Sequence, residues 1–122
     1  EGSQVDWANH ANNYPYQLGE MLAFDEAVKV VRSWIGADAT RKQNTLLIVS
    51  ADHDTGGFAI TGPPAALFKA GQKVEAGWTS GKHTGVDTLV WSEGPGSEAL
   101  ARTIDNTDIY GVMVRAMAGA KE

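Results

Sequence analysis

From residue 21 onward, apolar positions recur at alternating spacings of three and four: Met21, Phe24, Val28, Val31 and Ile35, with Glu20, Asp25, Lys29 and Arg32 between them. A helix turns once per 3.6 residues, so this pattern predicts an amphipathic helix with one packing face, closed by Gly36. The period then changes. Thr45 to Ser50 reads TLLIVS, a short run rich in branched residues that predicts a strand, centred on Leu46 to Val49 and buried on both faces as in a parallel sheet. Thr88 to Trp91 is a second strand candidate, stopped by Gly94, Pro95 and Gly96. A last helix is predicted with its cap near Asn106 or Thr107, burying Ile109, Val112, Met113 and Ala116 and ending at Gly119.

The stretches between these elements have no such period. Residues 1 to 16 predict a short helical turn and then a loop marked by Asn12, Asn13 and Pro15. Residues 58 to 82, with Gly62, Pro63, Pro64, Gly71, Gly77 and Gly81, read as an irregular excursion of turns and small strands. Strand, helix and long loops alternate without internal repeat, and the class is α/β.

Composition narrows the partners. A chain of 122 residues that is 43% hydrophobic suits one globular core and excludes disorder, collagen and a solenoid. Its longest apolar runs fall far short of the roughly 18 residues of a membrane span. The net charge is -5 and the ten Lys and Arg residues are scattered, so there is no basic stripe to hold nucleic acid. With no cysteine, disulfides, thiolate zinc sites and Cys nucleophiles are all excluded, and any metal must be held by carboxylate and imidazole. No targeting signal is visible at the N-terminus. Glu1 opens a dense polar motif with no element before it, which suggests a chain that begins inside a larger protein.

The chemistry gathers in those irregular stretches. Each of the three histidines, His10, His53 and His83, stands beside acidic or small turn residues rather than in an apolar run. Asp6 and His10 are four apart, so one helical turn would put a carboxylate and an imidazole on the same face. Asp52 and His53 follow the first predicted strand, and the C-terminal end of such a strand is where open α/β sheets place ligands. His83 lies in GKHTG, a loop that could present its ring to an ion. Together, Glu1, Asp6, His10, Asp52, His53 and His83 make a nitrogen and oxygen donor set suited to zinc and magnesium. Two zinc ions so held can serve in-line phosphoryl transfer.

EGSQVDWANHA, SADHDTGG, HTGVD, GPGSE and DNTDIY occur in that order over nearly the whole chain, which thereby resembles the alkaline phosphatase family. A Glu five residues before an Asp that is itself four before a His separates this pattern from related phosphomutases, phosphodiesterases and sulfatases. The resemblance implies a three-layer α/β/α sandwich with a mostly parallel central sheet, residues 1 to 122 being the C-terminal portion of one catalytic domain. It implies that Glu1 binds magnesium, that Asp6, His10 and His83 hold a first zinc with an open position, and that Asp52 and His53 hold a second. Trp7 falls at a pocket position where family members vary, so its indole either approaches the substrate or packs. Ser50 and Thr55 read as structural, Thr84 and Gly85 as loop formers.

The resemblance further implies hydrolysis of small phosphate monoesters through a phosphoserine, in a periplasmic or secreted enzyme that is often a homodimer. The nucleophile of the family is a Ser that follows an Asp, and no Asp-Ser dipeptide occurs here. That Ser, a phosphate-binding Arg and a bridging Asp are therefore expected in a missing N-terminal half, and the chain alone is expected to be inactive. The reading from a different class is a non-catalytic metal-binding module that keeps these ligands without the nucleophile.

Overall fold

A computed structural model describes residues 1–63 and 69–119. The chain divides into two compact units, Glu1–Val28 with Asp52–Asp87, and Lys29–Ala51 with Thr88–Glu122.

In the first unit the polar N-terminal sequence forms helix α1, Ser3–His10, whose Ala8 is fully buried. Helix α2 spans Tyr14–Gly36 and passes from the first unit into the second. It starts earlier than its apolar periodicity predicts, because Asn13 and Pro15 are start signals rather than loop residues. The Asn13 carboxamide oxygen accepts from the Tyr16 amide at 3.1 Å, and Pro15 sits in the first turn, where its missing N–H is not needed. The Tyr16 hydroxyl donates to Gln4 of α1. Four short strands complete this unit: β2 (Asp54–Thr55), β3 (Ala59–Gly62), β4 (Glu75–Gly77) and β5 (His83–Thr84). Strand β2 pairs antiparallel with β5, and β3 pairs antiparallel with β4 through a shifted register between Ile60 and Gly62. This is the predicted excursion of turns and small strands, except that Pro64 lies outside the described residues.

The second unit holds the C-terminal part of α2, helix α3 (Ala39–Asn44), strands β1 (Leu47–Ser50) and β6 (Val90–Glu93), a 3-10 turn at Ser97–Leu100, and helix α4 (Asn106–Ala118). Asp38 caps α3 by accepting from the Arg41 amide at 2.9 Å. Ile35, Leu100 and Val112 are its buried apolar residues among those described. Gly94 makes the turn after β6 with φ of 102°, and a Cβ at that position would collide with the Thr45 carbonyl.

Several expectations are corrected here. Among the described residues every strand pair is antiparallel, β1 with β6 included, in the register Leu47↔Glu93 to Ser50↔Val90. Strand β1 is half-buried rather than buried on both faces, so its unbroken apolar run does not mark a parallel neighbour among the described residues. The second strand begins at Val90, not Thr88. The Thr88 hydroxyl and the Leu89 carbonyl are taken up by irregular bonds to the Ala51 carbonyl and the Ser50 hydroxyl, at 3.3 and 3.4 Å. The last helix is capped one residue earlier than predicted, by Asp105, whose carboxylate accepts from the Thr107 amide while Asp108 closes a reciprocal capping box. Met113 and Ala116 of that helix are exposed, leaving Val112 as its buried residue.

Candidate metal centre

All the histidines lie in the first unit, where β-pairing and one helix bring them together. Asp6 and His10 occupy one face of α1, and the Asp6 carboxylate Oδ1 lies 3.4 Å from His10 Nε2. Antiparallel pairing sets Thr55 opposite His83, so the turn carrying His53 and the strand carrying His83 are adjacent. The rings of His53 and His83 stack with centroids 3.6 Å apart. His83 Nε2 then stands 3.1 Å from His10 Nε2 and 3.4 Å from Asp6 Oδ1.

Two overlapping donor trios result. Asp6, His10 and His83 meet within 3.4 Å. Asp6, His53 and His83 also each offer a donor atom within 4.8 Å of the others, which draws His53 closer to the first trio than separate sites would suggest. Asp52 approaches from one side only: its carboxylate accepts from the His53 amide at 3.2 Å and lies 3.4 Å from His53 Nε2, and its side chain is 88% exposed. Glu1 is exposed and forms no hydrogen bond or ion pair with the cluster among the described residues. Trp7 is 59% exposed next to Asp6 in the chain.

Acceptors around the cluster decide which ring nitrogen faces inward. His10 Nδ1 is 2.8 Å from the Gly81 carbonyl, which can only accept, so Nδ1 carries the proton and the Nε2 lone pair faces Asp6 and His83. The Thr55 hydroxyl donates to the Asp6 carboxylate at 2.6 Å and, with help from the nearby imidazoles when charged, holds Asp6 below the ordinary carboxylate range against the opposing effect of burial.

A frame of polar and aromatic contacts sets this geometry, and motif spacing alone did not point to it. Asp54 accepts from the Thr84 hydroxyl at 2.5 Å and from the Gly57 amide at 3.0 Å, clamping β2 to β5 beside the two histidines. Buried Asn9, on α1 between Asp6 and His10, accepts from the Trp78 indole at 2.8 Å. Phe58 packs between Tyr14 and Trp78. Gly56 passes under the Trp78 ring with φ of 83°, where any Cβ would collide with it.

The donor chemistry fits zinc: imidazole nitrogens and carboxylate oxygens, no thiolate, converging from a helix, a strand end and a paired strand. Comparison with known proteins gives the family. The family model described as alkaline phosphatase matches residues 1–74, which contain Asp6, His10, Asp52 and His53. The chain belongs to the alkaline phosphatase family. It is 28% identical to alkaline phosphatase 3 of Bacillus subtilis over 96% of this chain and 39% of that protein. It is 32% identical to the streptomycin-6-phosphate phosphatase of Streptomyces griseus over 96% of this chain and 28% of the relative. Among solved structures, the alkaline phosphatase of the Antarctic bacterium TAB5 superimposes with a TM-score of 0.80 at 29% identity, covering 99% of this chain and 35% of that one. A variant of the TAB5 enzyme with Mg bound in its M3 site gives a TM-score of 0.81 at 30% identity, over 97% of this chain and 34% of that one. The chain thus has the alkaline-phosphatase-like fold and spans about two fifths or less of the length of these relatives.

Proposed function

We propose that the protein carrying this chain hydrolyses phosphate monoesters at a centre of two zinc ions and one magnesium, and that this chain supplies metal ligands to it. The observation that carries the reading is the convergence of Asp6, His10, His53 and His83 from three separate elements, with the inward lone pair of His10 set by a carbonyl acceptor. Asp6, His10 and His83 would hold the first zinc, and His53 with Asp52 the second. Glu1 would serve magnesium. Zinc supplies Lewis-acid neutralisation of the ester dianion and lowers the pKa of bound water toward about 7. The residues of this chain do the holding. Asp6 brings negative charge that offsets the cations, the imidazoles bring neutral nitrogen donors, and the exposed Trp7 indole would border the approach of the substrate.

The phosphoserine step needs a Ser preceded by Asp, and no such dipeptide is present. We therefore place the nucleophile, the phosphate-binding Arg and the bridging Asp in a portion of the parent protein outside this chain. The same portion would supply parallel strands beside β1, completing the three-layer α/β/α sandwich of one catalytic domain. Exposed Leu89, Tyr110 and Met117 support such packing. A periplasmic or secreted homodimer is the setting we assign to the whole protein, and no helix among the described residues is long and apolar enough to cross a membrane.

Uncatalysed phosphate monoester hydrolysis is slow enough that enzymes accelerate it by up to about 10²¹-fold, so an incomplete centre should give no measurable turnover. The test is a chromogenic phosphate monoester assay with zinc and magnesium. The intact protein should turn over, the isolated chain should not, and adding the separately expressed remainder should restore turnover. Sustained metal-dependent turnover by the isolated chain, free of host phosphatase, would place the nucleophile within these residues and contradict the division of roles.

A further inference from the structure

Thr55 is 6% exposed and stands in β2 opposite His83, with its hydroxyl between two groups of the metal centre. Oγ1 is 2.6 Å from Asp6 Oδ1 and 3.3 Å from His53 Nδ1. A hydroxyl has one proton to give and two lone pairs to receive with. An ionised carboxylate only accepts, and at 2.6 Å two bare oxygens would repel, so the proton goes to Asp6. The lone pairs of Oγ1 are then left facing His53, and only a protonated Nδ1 can answer them. A neutral His53 is thereby the Nδ1–H tautomer, and the lone pair of its Nε2, 3.4 Å from the Asp52 carboxylate, is left for a ligand bond.

We propose that Thr55 is a positioning residue that couples the two zinc sites, its single hydroxyl fixing the Asp6 carboxylate of the first and the donor nitrogen of His53 in the second. The proposal rests on the metal-centre reading above. Thr55 touches no substrate and transfers no proton in the reaction. It acts as outer-shell groups do, by holding a ligand in the tautomer and orientation the metal requires before the metal arrives. Thr55 itself is buried, so removing its hydroxyl takes from both the Asp6 oxygen and the His53 N–H a partner that the fold holds in one place. His10 has its own acceptor in the Gly81 carbonyl, so its tautomer does not depend on Thr55.

The experiment uses the intact protein and three forms of it: parent, Thr55→Val and Thr55→Ser. Valine keeps the branched shape and the strand preference while deleting the hydroxyl; serine keeps the hydroxyl. Zinc affinity is read by competition with a chromogenic chelator, and the His53 tautomer by nitrogen-15 shifts of histidine-labelled, metal-free protein. Thr55→Val should bind zinc about 10- to 100-fold more weakly and lose the uniform Nδ1–H signature of His53, while His10 keeps its own. Thr55→Ser should restore both. An Nε2–H His53 in the parent overturns the proposal without need of any variant. So does a Thr55→Val protein with parental affinity, or equal weakening in Thr55→Val and Thr55→Ser, which would mark a packing role for the methyl group. A parent that takes up no zinc sinks the proposed function as well, whereas a zinc-binding parent with an indifferent Thr55→Val sinks this inference alone.

Discussion

The two units of the chain are held together by different physics. In the second, regular elements dominate: Asp38 and Asp105 cap helices, β1 and β6 run four residues in register, and apolar Ile35, Leu100 and Val112 are buried. In the first, strands are as short as two residues, and side chains bond side chains: Thr55 to Asp6, Thr84 to Asp54, Trp78 to Asn9. Hydrophobic burial is non-directional and tolerates imprecision, whereas hydrogen bonds fix atoms to within tenths of an ångström. A metal centre needs the second kind of order, and the unit that carries the candidate ligands is the one built that way.

The sharpest way to break this contrast is to remove a ligand. His83→Ala in the intact protein should reduce zinc affinity and phosphomonoesterase activity by well over the roughly 100-fold that outer-shell changes reach, measured by chelator competition and a chromogenic assay at saturating zinc. Parental activity in that variant would mean His83 is not a ligand. The converse substitution is Leu100→Ala, a buried apolar residue of the second unit. It should cost about 2 kcal/mol or more of stability by denaturant titration, yet leave zinc affinity within about twofold. A matching fall in zinc affinity would show that the two units do not keep separate roles.

A smaller effect concerns acid. The folded pKa of Asp6 is lowered from its ordinary 3.8, chiefly by the Thr55 hydroxyl. Its stabilising contribution is therefore fully present above 3.8 and disappears as pH falls through the lower folded value. In metal-free protein, Asp6→Asn should flatten the acid limb of the stability curve below that pH, and an unchanged limb would contradict the bond. The smallest effect is expected at exposed Asp105, whose carboxylate is also lowered, first by the Thr107 amide and then by the Thr107 hydroxyl. Asp105→Ala should fray the first turn of α4, seen as faster amide exchange at Thr107 and Asp108, with zinc binding untouched.

What could be read from residues alone follows the same division. The 3.6-residue period of Met21, Phe24, Val28, Val31 and Ile35 located α2, because one apolar stripe is enough to specify a helix, although of these five only Ile35 is buried and Met21 and Val31 are exposed. Its true start was also written in the chain, as Asn13 and Pro15, but the periodic signal outweighed the cap. Strand positions were found to within two residues, since an apolar run marks a strand without marking where its ladder of hydrogen bonds begins. Pairing direction was not legible, because branched apolar residues suit either kind of sheet. At the candidate metal centre, donor identity was visible as three histidines and three carboxylates in polar surroundings. Their mutual geometry was not: it depends on Thr55, Asp54, Thr84 and the Gly81 carbonyl, ordinary residues whose roles exist only once β2 and β5 are paired.

X-ray absorption at the zinc edge on the intact protein bears on the central claim most directly, because it reads ligand type and distance together. The account predicts retained zinc with a nitrogen and oxygen shell at about 2.0–2.1 Å, clear imidazole scattering, no sulfur, and loss of part of that imidazole signal in His83→Ala. Zinc that is absent after metal loading, or bound in a shell without imidazole, would contradict the assignment of Asp6, His10, His53 and His83 to a metal centre.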